Sequence, residues 1–222
     1  LNRFKLNLEK VKFKYKDTHL IINKVENLDD LVNQVSDAEF NKDERMPYWA
    51  ELWPSSIALS RFIIKNPELF HKKNILELGC GLGLTSIVIM QQNPASLLCT
   101  DYENDALVLA RKNFQQNKIK QPHFKWLDWR NPQLEGKYEL IVASDVLYEE
   151  RFFQPLLALF NWYLQKKGYI IIAEPNRKIA IPFFTKLKSY GYQYTIHFEE
   201  VDQNSKIILV SIYSIQKSLC FG

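Results

Sequence analysis

"NILELGCGLGLTSIVIM", residues 74–90, places three of the chain's seven glycines, Gly79, Gly81 and Gly83, within five positions. Before them stands ILEL, an apolar run of strand length; after them comes LTSIVIM, long enough to begin a buried helix. A Gly-rich turn between a strand and a helix lets backbone pass close to a ligand and aims N–H groups at it. The alternative reading is a tight corner with no ligand. The dinucleotide fingerprint GxGxxG requires a third glycine at position 84, where this chain has Leu84. The spacing is GxGxG instead, with Glu77 two residues ahead of the first glycine, which argues against NAD and for a ligand without a pyrophosphate at the helix end.

Outward from this turn, strand and helix patterns alternate from residue 55 onward. Helices are expected at SSIALSRFIIKN, LTSIVIMQQ, NDALVLARKNFQQN, RFFQPLLALFNWYLQ and IPFFTKLKSYG, and strands at NILELG, SLLCTD, HFKWLD, YELIVAS and GYIIIAE. This is the pattern of βαβ units, hence an α/β fold with a mainly parallel sheet covered on both faces. The last two strands, YQYTIHF and KIILVSIY, follow each other directly and permit an antiparallel hairpin at one edge. The strand SLLCTD ends on Asp101, 22 residues after Gly79, where an open α/β sheet places a carboxylate that accepts from ribose hydroxyls. An N-cap of the next helix is the alternative for Asp101.

Ahead of residue 46, Phe4, Leu6 and Leu8 and then Val11, Phe13 and Tyr15 alternate with polar residues, with a slip at Glu9-Lys10 that predicts a bulge. THLIIN is expected to pair with these strands, and LDDLVNQV predicts a short helix. We therefore divide the chain into an N-terminal extension, 1–45, and one domain, 46–222. Lys5, Lys10, Lys12, Lys14 and Lys16 read as the solvated face of a strand, with a basic binding surface as the alternative.

Composition narrows the function classes. At 222 residues and 46% apolar, the chain suits one full-sized α/β core. Its 29 basic and 25 acidic residues leave +4, too mild to indicate a nucleic-acid partner or an anionic membrane. The cysteines, Cys80, Cys99 and Cys220, are odd in number and lack a CxxC pair, so a reducing cytoplasm is expected, with no disulfide framework or zinc site. The four histidines show no ligand spacing, and no metal is expected. No apolar run reaches the ~18 residues of a membrane span. Position 1 is Leu, which leaves open a trimmed start and a removed leader.

LELGCGLG and CTDYENDAL resemble the first motif and the acidic second-strand end of the class I, seven-β-strand methyltransferases, which use S-adenosylmethionine. More narrowly, PYWAELWPSSIALSRFI and SDVLYEE resemble methyltransferase family 16, which includes protein-lysine methyltransferases. That resemblance implies a Rossmann-like seven-stranded, mostly parallel sheet with an antiparallel C-terminal hairpin. It implies that Trp53 packs on S-adenosylmethionine, that Gly79 to Gly83 with Cys80 and Glu77 cradle its methionine portion, and that Asp101 and Tyr102 serve the ribose side. Asp128 and Trp129 fall beside the adenine, and Ser144 stands where the family often has Ala. After the third strand the family's WG is WR here, so the loop beyond Trp129 is expected to run differently. The family's D/E-x-x-Y/F element is Asp145 to Tyr148, which the resemblance places on the methyl acceptor, with Glu51 and Glu174 as further acidic lining.

The expected reaction is methyl transfer to a protein lysine by a monomeric enzyme. Its rivals are a nucleic-acid or small-molecule N-methyltransferase and a non-catalytic binding module. A nucleic-acid amino-methyltransferase should carry an N/D-P-P-Y/F/W element after the fourth strand, whose aromatic stacks on a flipped base. SDVLY has no proline.

Overall fold

The computed structural model describes residues 6–34, 46–203 and 205–218. Two strands, β1 (Leu8–Tyr15) and β2 (Thr18–Val25), form a separate antiparallel sheet, followed by a short helix α1 (Leu28–Val32). The main body then runs α2 (Pro54–Lys65), β3 (Asn74–Leu78), α3 (Leu84–Gln91), β4 (Ser96–Asp101), α4 (Asn104–Gln116) and β5 (His123–Trp126). It continues through β6 (Tyr138–Ser144), α5 (Phe153–Tyr163), β7 (Leu164–Glu174), α6 (Ile181–Ser189), β8 (Tyr192–Gln203) and β9 (Lys206–Lys217).

Seven strands make one sheet in the order β5-β4-β3-β6-β7-β9-β8, parallel from β5 to β7 and antiparallel from there to β8. The chain starts in the middle at β3, winds outward through β4 and β5, then crosses to β6 on the other side of β3. That reversal opens a crevice at the carboxyl ends of β3, β4 and β6, where ligands bind in open α/β sheets.

The apolar runs explain the layering. Along β3, Ile75 points into the core shared with α2, α3 and α4, while Leu76 and Leu78 point into the core shared with α5 and α6. Alternate residues of a parallel strand meet opposite helix layers, so both faces must be apolar. Helix α3 buries Leu84 through Ile89 nearly all round, as a helix wedged between the sheet and its neighbours must.

The small sheet is fastened to α4. Asn113, fully buried, accepts from the Asn23 N–H (2.7 Å) and side-chain amide (2.8 Å) and donates to the Asn23 and Leu82 carbonyls at 3.0 and 2.9 Å. Asn117 does the same for Ile21, accepting from its N–H and donating to its carbonyl, both at 2.8 Å. Phe13, Leu20 and Ile22 complete the contact from within the α2–α4 core.

The expected bulge at Glu9-Lys10 is absent: β1 pairs with β2 without a break from Leu8↔Val25 to Tyr15↔Thr18. The slip in the apolar pattern is absorbed instead by leaving Leu8 exposed, while Glu9 meets Lys24 across the ladder in a 3.0 Å ion pair. Phe4 lies outside the described residues. The last two strands are longer than their apolar alternation indicated: pairing continues out to Gln203↔Lys206 although both faces of the outer halves mix charged with apolar residues.

Candidate active site

The glycine turn is built by close approach within the chain. Gly79, Gly81 and Gly83 all have positive φ, at +66°, +49° and +80°, a region in which only glycine rests without cost. A Cβ on Gly83 would lie 3.0 Å from the Ala110 Cβ on α4, and one on Gly79 would lie 3.6 Å from the Trp129 ring. Several of the turn's N–H groups are already engaged: Cys80 donates to the Thr100 carbonyl (2.9 Å), Gly81 to Asp101 Oδ2 (2.9 Å) and Gly83 to the Cys80 carbonyl (2.8 Å). The turn is thus a rigid wall rather than a set of open donors.

Asp101, at the end of β4, faces the crevice. Its second oxygen, Oδ1, accepts from the Glu103 N–H at 2.9 Å. Burial pushes this carboxyl up to about 6, against the pull of those two backbone donors. A carboxylate has about four lone-pair sites; two are taken here, and two remain for a ligand's hydroxyls.

On the other side of the turn, β6 ends at Ser144 and the chain enters Asp145 with φ +62°. The left-handed region is uncommon for a side-chain-bearing residue and least unfavourable for Asp and Asn; here it reverses the chain at the strand end. The Asp145 side chain is 9% exposed and its Oδ1 forms an ion pair with Arg177. No aligned hydrogen-bond donor reaches either oxygen among the described residues. Arg177 also reaches Glu174 Oε1 at 3.3 Å and donates its backbone N–H to Oε2 at 2.9 Å. Burial raises the Glu174 carboxyl, and Arg177 partly offsets this.

Aromatic rings close the crevice in a chain of edge-to-face contacts. Trp53 meets Tyr48 at 6.0 Å, Tyr48 meets Tyr148 at 5.5 Å, Tyr148 meets Phe152 at 6.3 Å and Phe152 meets Trp129 at 5.5 Å. The Trp53 indole N–H donates to the Tyr48 carbonyl at 2.7 Å, which sets the angle between them. Burial pushes the Tyr148 phenol far above its ordinary range, so it stays protonated. The Cys80 thiol, on the same wall, is raised likewise and is no nucleophile.

Of the residues singled out in the sequence, Trp53, Gly79, Cys80, Gly81, Gly83, Asp101, Tyr102, Asp128, Trp129, Ser144, Asp145 and Tyr148 all line this crevice. Glu77 does not. It lies 2% exposed beneath the turn, accepting from the Ser86 hydroxyl of α3, because alternation along β3 turns it toward the helix. Glu51 is on the wall, but its Oε2 is bound by Lys24 of β2 at 2.8 Å, so its charge is already answered. Glu174 is buried behind Asp145. At the W-R step the Arg130 guanidinium folds back on Asp128, with contacts of 2.8–3.1 Å. Tyr48, Phe152 and Arg177 were missed. Tyr48 stands in the quoted PYW, whereas nothing in the local sequence sets Arg177 against Asp145.

A family model described as lysine methyltransferase matches residues 33–190, which include the turn, Asp101 and the Asp145 to Tyr148 element. The chain belongs to the lysine methyltransferase family. Among curated members, the mouse electron transfer flavoprotein beta subunit lysine methyltransferase is 32% identical over 132 residues, covering 59% of this chain and 51% of that protein. Calmodulin-lysine N-methyltransferase of Arabidopsis thaliana is 26% identical over 155 residues, covering 65% and 51%. The chain spans about half the length of the curated relatives it matches. Among solved structures, magnesium protoporphyrin IX methyltransferase of Synechocystis with bound S-adenosylmethionine superposes with TM-score 0.58 at 18% identity, over 82% of this chain and 85% of that one. TrmN of Thermus thermophilus gives 0.59 at 15%, over 78% and 53%. These likenesses show a shared Rossmann-like methyltransferase fold.

Proposed function

We propose that this lysine methyltransferase family member transfers the methyl group of S-adenosylmethionine to a lysine side chain of another protein, acting as a monomer in the cytoplasm. One observation carries the reading: Asp101 and Asp145 stand on opposite sides of a single glycine turn, one with capacity for hydroxyls, the other walled by aromatic rings. Aromatic faces with a carboxylate between them suit an ammonium.

The residues present fit the cofactor. Asp101 would take its ribose hydroxyls, Gly79 to Gly83 its methionine portion, and Trp129 with Asp128, Tyr102 and Ser144 its adenine side, with Trp53 packed across the mouth. When bound, it supplies a methyl group already electrophilic on a sulfonium centre. What the protein must do is align the amine and exclude water.

A lysine of ordinary pKa ~10.4 costs roughly 4–5 kcal/mol to neutralise at pH 7. Asp145 alone would oppose that loss, since a carboxylate favours the ammonium. The Arg177 guanidinium on Asp145 Oδ1 reduces the opposition. Tyr148, held protonated, orients the amine and is not its base; the proton leaves to water.

The test separates donor from acceptor. Asp101→Ala should weaken S-adenosylhomocysteine binding by about 1.5–3 kcal/mol in calorimetry, through lost charge-assisted hydrogen bonds. Asp145→Asn and Tyr148→Phe should leave that affinity within about twofold yet lower methyl transfer ~100-fold. Radiolabelled S-adenosylmethionine in lysate should mark discrete protein bands that survive nuclease and contain methyl-lysine; label in RNA or a metabolite would refute the acceptor class. The proteins named for the relatives, the electron transfer flavoprotein beta subunit and calmodulin, are the first purified acceptors to try.

A further inference from the structure

The β8–β9 hairpin overshoots the sheet. Ser211 of β9 pairs with Glu174, the last residue of β7, so Lys206–Val210 and their partners Glu199–Gln203 project past the edge at which Asp145 sits. At about 3.3 Å per residue the overhang is roughly 15 Å.

Its two faces differ. Residues directly opposite in an antiparallel pair point to the same side. The face with Glu199, Val201 and Val210 is docked: Lys65 of α2 pairs with Glu199, Arg61 donates to the Glu200 carbonyl at 2.8 Å, and Gln203 donates to the Leu52 carbonyl at 3.1 Å. Those contacts hold the arm rigid against the segment that carries Trp53. The opposite face is covered near its base, where Phe184 of α6 stacks on Tyr213 at 3.8 Å. Along the same face Ile196, opposite Tyr213, and Phe198, opposite Ser211, are bare at the root of the overhang, and Ile207 and Leu209 are bare on it, Phe198 at 57% and Ile207 at 72% exposure. On the overhang itself the charged side chains of this face are Glu200 and Asp202, both exposed, while Lys217 and, over the Tyr194 ring, Lys188 of α6 lie toward the base. Four large apolar side chains bared together along one face of the hairpin, from the root of the overhang outward, are unusual for a surface without a partner.

The overhang is tied to the crevice through the loop after β7. Asn176, in the loop after β7, donates to the Leu209 carbonyl at 2.9 Å and accepts from the Ser211 hydroxyl at 2.6 Å, and the next residue, Arg177, touches Asp145.

We propose that this face of the β8–β9 overhang is the docking platform for the protein methyl acceptor, engaging an apolar surface flanked by basic residues beside the target lysine. The proposal rests on the protein-lysine reading above. Apolar contact supplies the affinity; Glu200 and Asp202 select against acidic surfaces and complement a basic one.

The experiment measures transfer of tritiated methyl from S-adenosylmethionine to purified electron transfer flavoprotein beta subunit and to calmodulin. The variants are Phe198→Ser with Ile207→Ser and Leu209→Ser, and separately Glu200→Lys with Asp202→Lys. Each set should raise KM for the accepted protein tenfold or more, with kcat and S-adenosylhomocysteine affinity within about twofold, the latter also showing that the fold is intact. Unchanged KM in both sets overturns the platform and leaves the function standing. No transfer by the unmodified enzyme to either protein or to any protein of a lysate overturns the platform together with the substrate reading. A dimer in sedimentation that the serine variants dissolve would assign the face to a second copy and overturn the proposal.

Discussion

Glu77 shows how one position in a motif can serve the fold rather than the ligand. It is 2% exposed, and burial pushes its carboxyl up to about 8 despite the Ser86 hydroxyl, so it is largely protonated at neutral pH. The unfolded chain releases that proton near pH 4.5 and the folded chain only near 8. Unfolding therefore sheds a proton between those values, and this group makes stability fall as pH rises across the window. Glu77→Gln is neutral and still accepts from Ser86. Its thermal midpoint should match the unmodified protein near pH 5 and exceed it at pH 9, by an amount corresponding to roughly 4 kcal/mol. Equal pH profiles would mean that Glu77 ionises freely. Neither the burial nor the Ser86 contact is legible in LELGCGLG, where Glu77 reads as a cofactor ligand.

At the scale of elements, the glycine turn joins α3 to α4 as much as it shapes the crevice. Gly83 begins α3 at φ +80° with the Ala110 Cα only 3.3 Å from where a Cβ would stand. Gly83→Ala adds backbone strain to a clash with a neighbouring helix. It should lose about 2–4 kcal/mol in urea unfolding. Gly191→Ala is the control, with φ +78° and nothing within 4 Å; strain alone should cost about 1 kcal/mol. Similar losses in both would mean that α3 and α4 part easily. The run and spacing of the glycines were readable; that Ala110 fills the space under Gly83 follows from how two helices cross.

For the whole molecule, the small β1–β2 sheet and the seven-stranded sheet share one core: Phe13, Leu20 and Ile22 belong to the same buried cluster as Ile75, Leu97 and Ile212. One cooperative thermal transition is expected. S-adenosylhomocysteine at 100 times its Kd should raise it by about 2.7 kcal/mol, or about 5–10 °C for a chain of this length. The increment should shrink below pH 6, because Asp101, pushed up to about 6, then takes a proton and loses acceptor capacity. Calorimetry at pH 7.5 and 5 tests both points; two separated transitions, or an equal increment at both pH values, would count against them.

The alternation of apolar strand and helix runs, the three glycines and the acid ending β4 are local in the chain, and they determined the layered sheet and the crevice at its switch point. Short-range periodicity encodes which face is buried. The tertiary structure decided what depends on residues far apart. It set Arg177 against Asp145, Lys24 against Glu51 and Asn113 against Asn23, buried Glu77, and left one face of the β8–β9 overhang bare. A charge finds its partner, and a carboxyl its burial, only when separate segments are brought together, and no spacing along the chain records that distance.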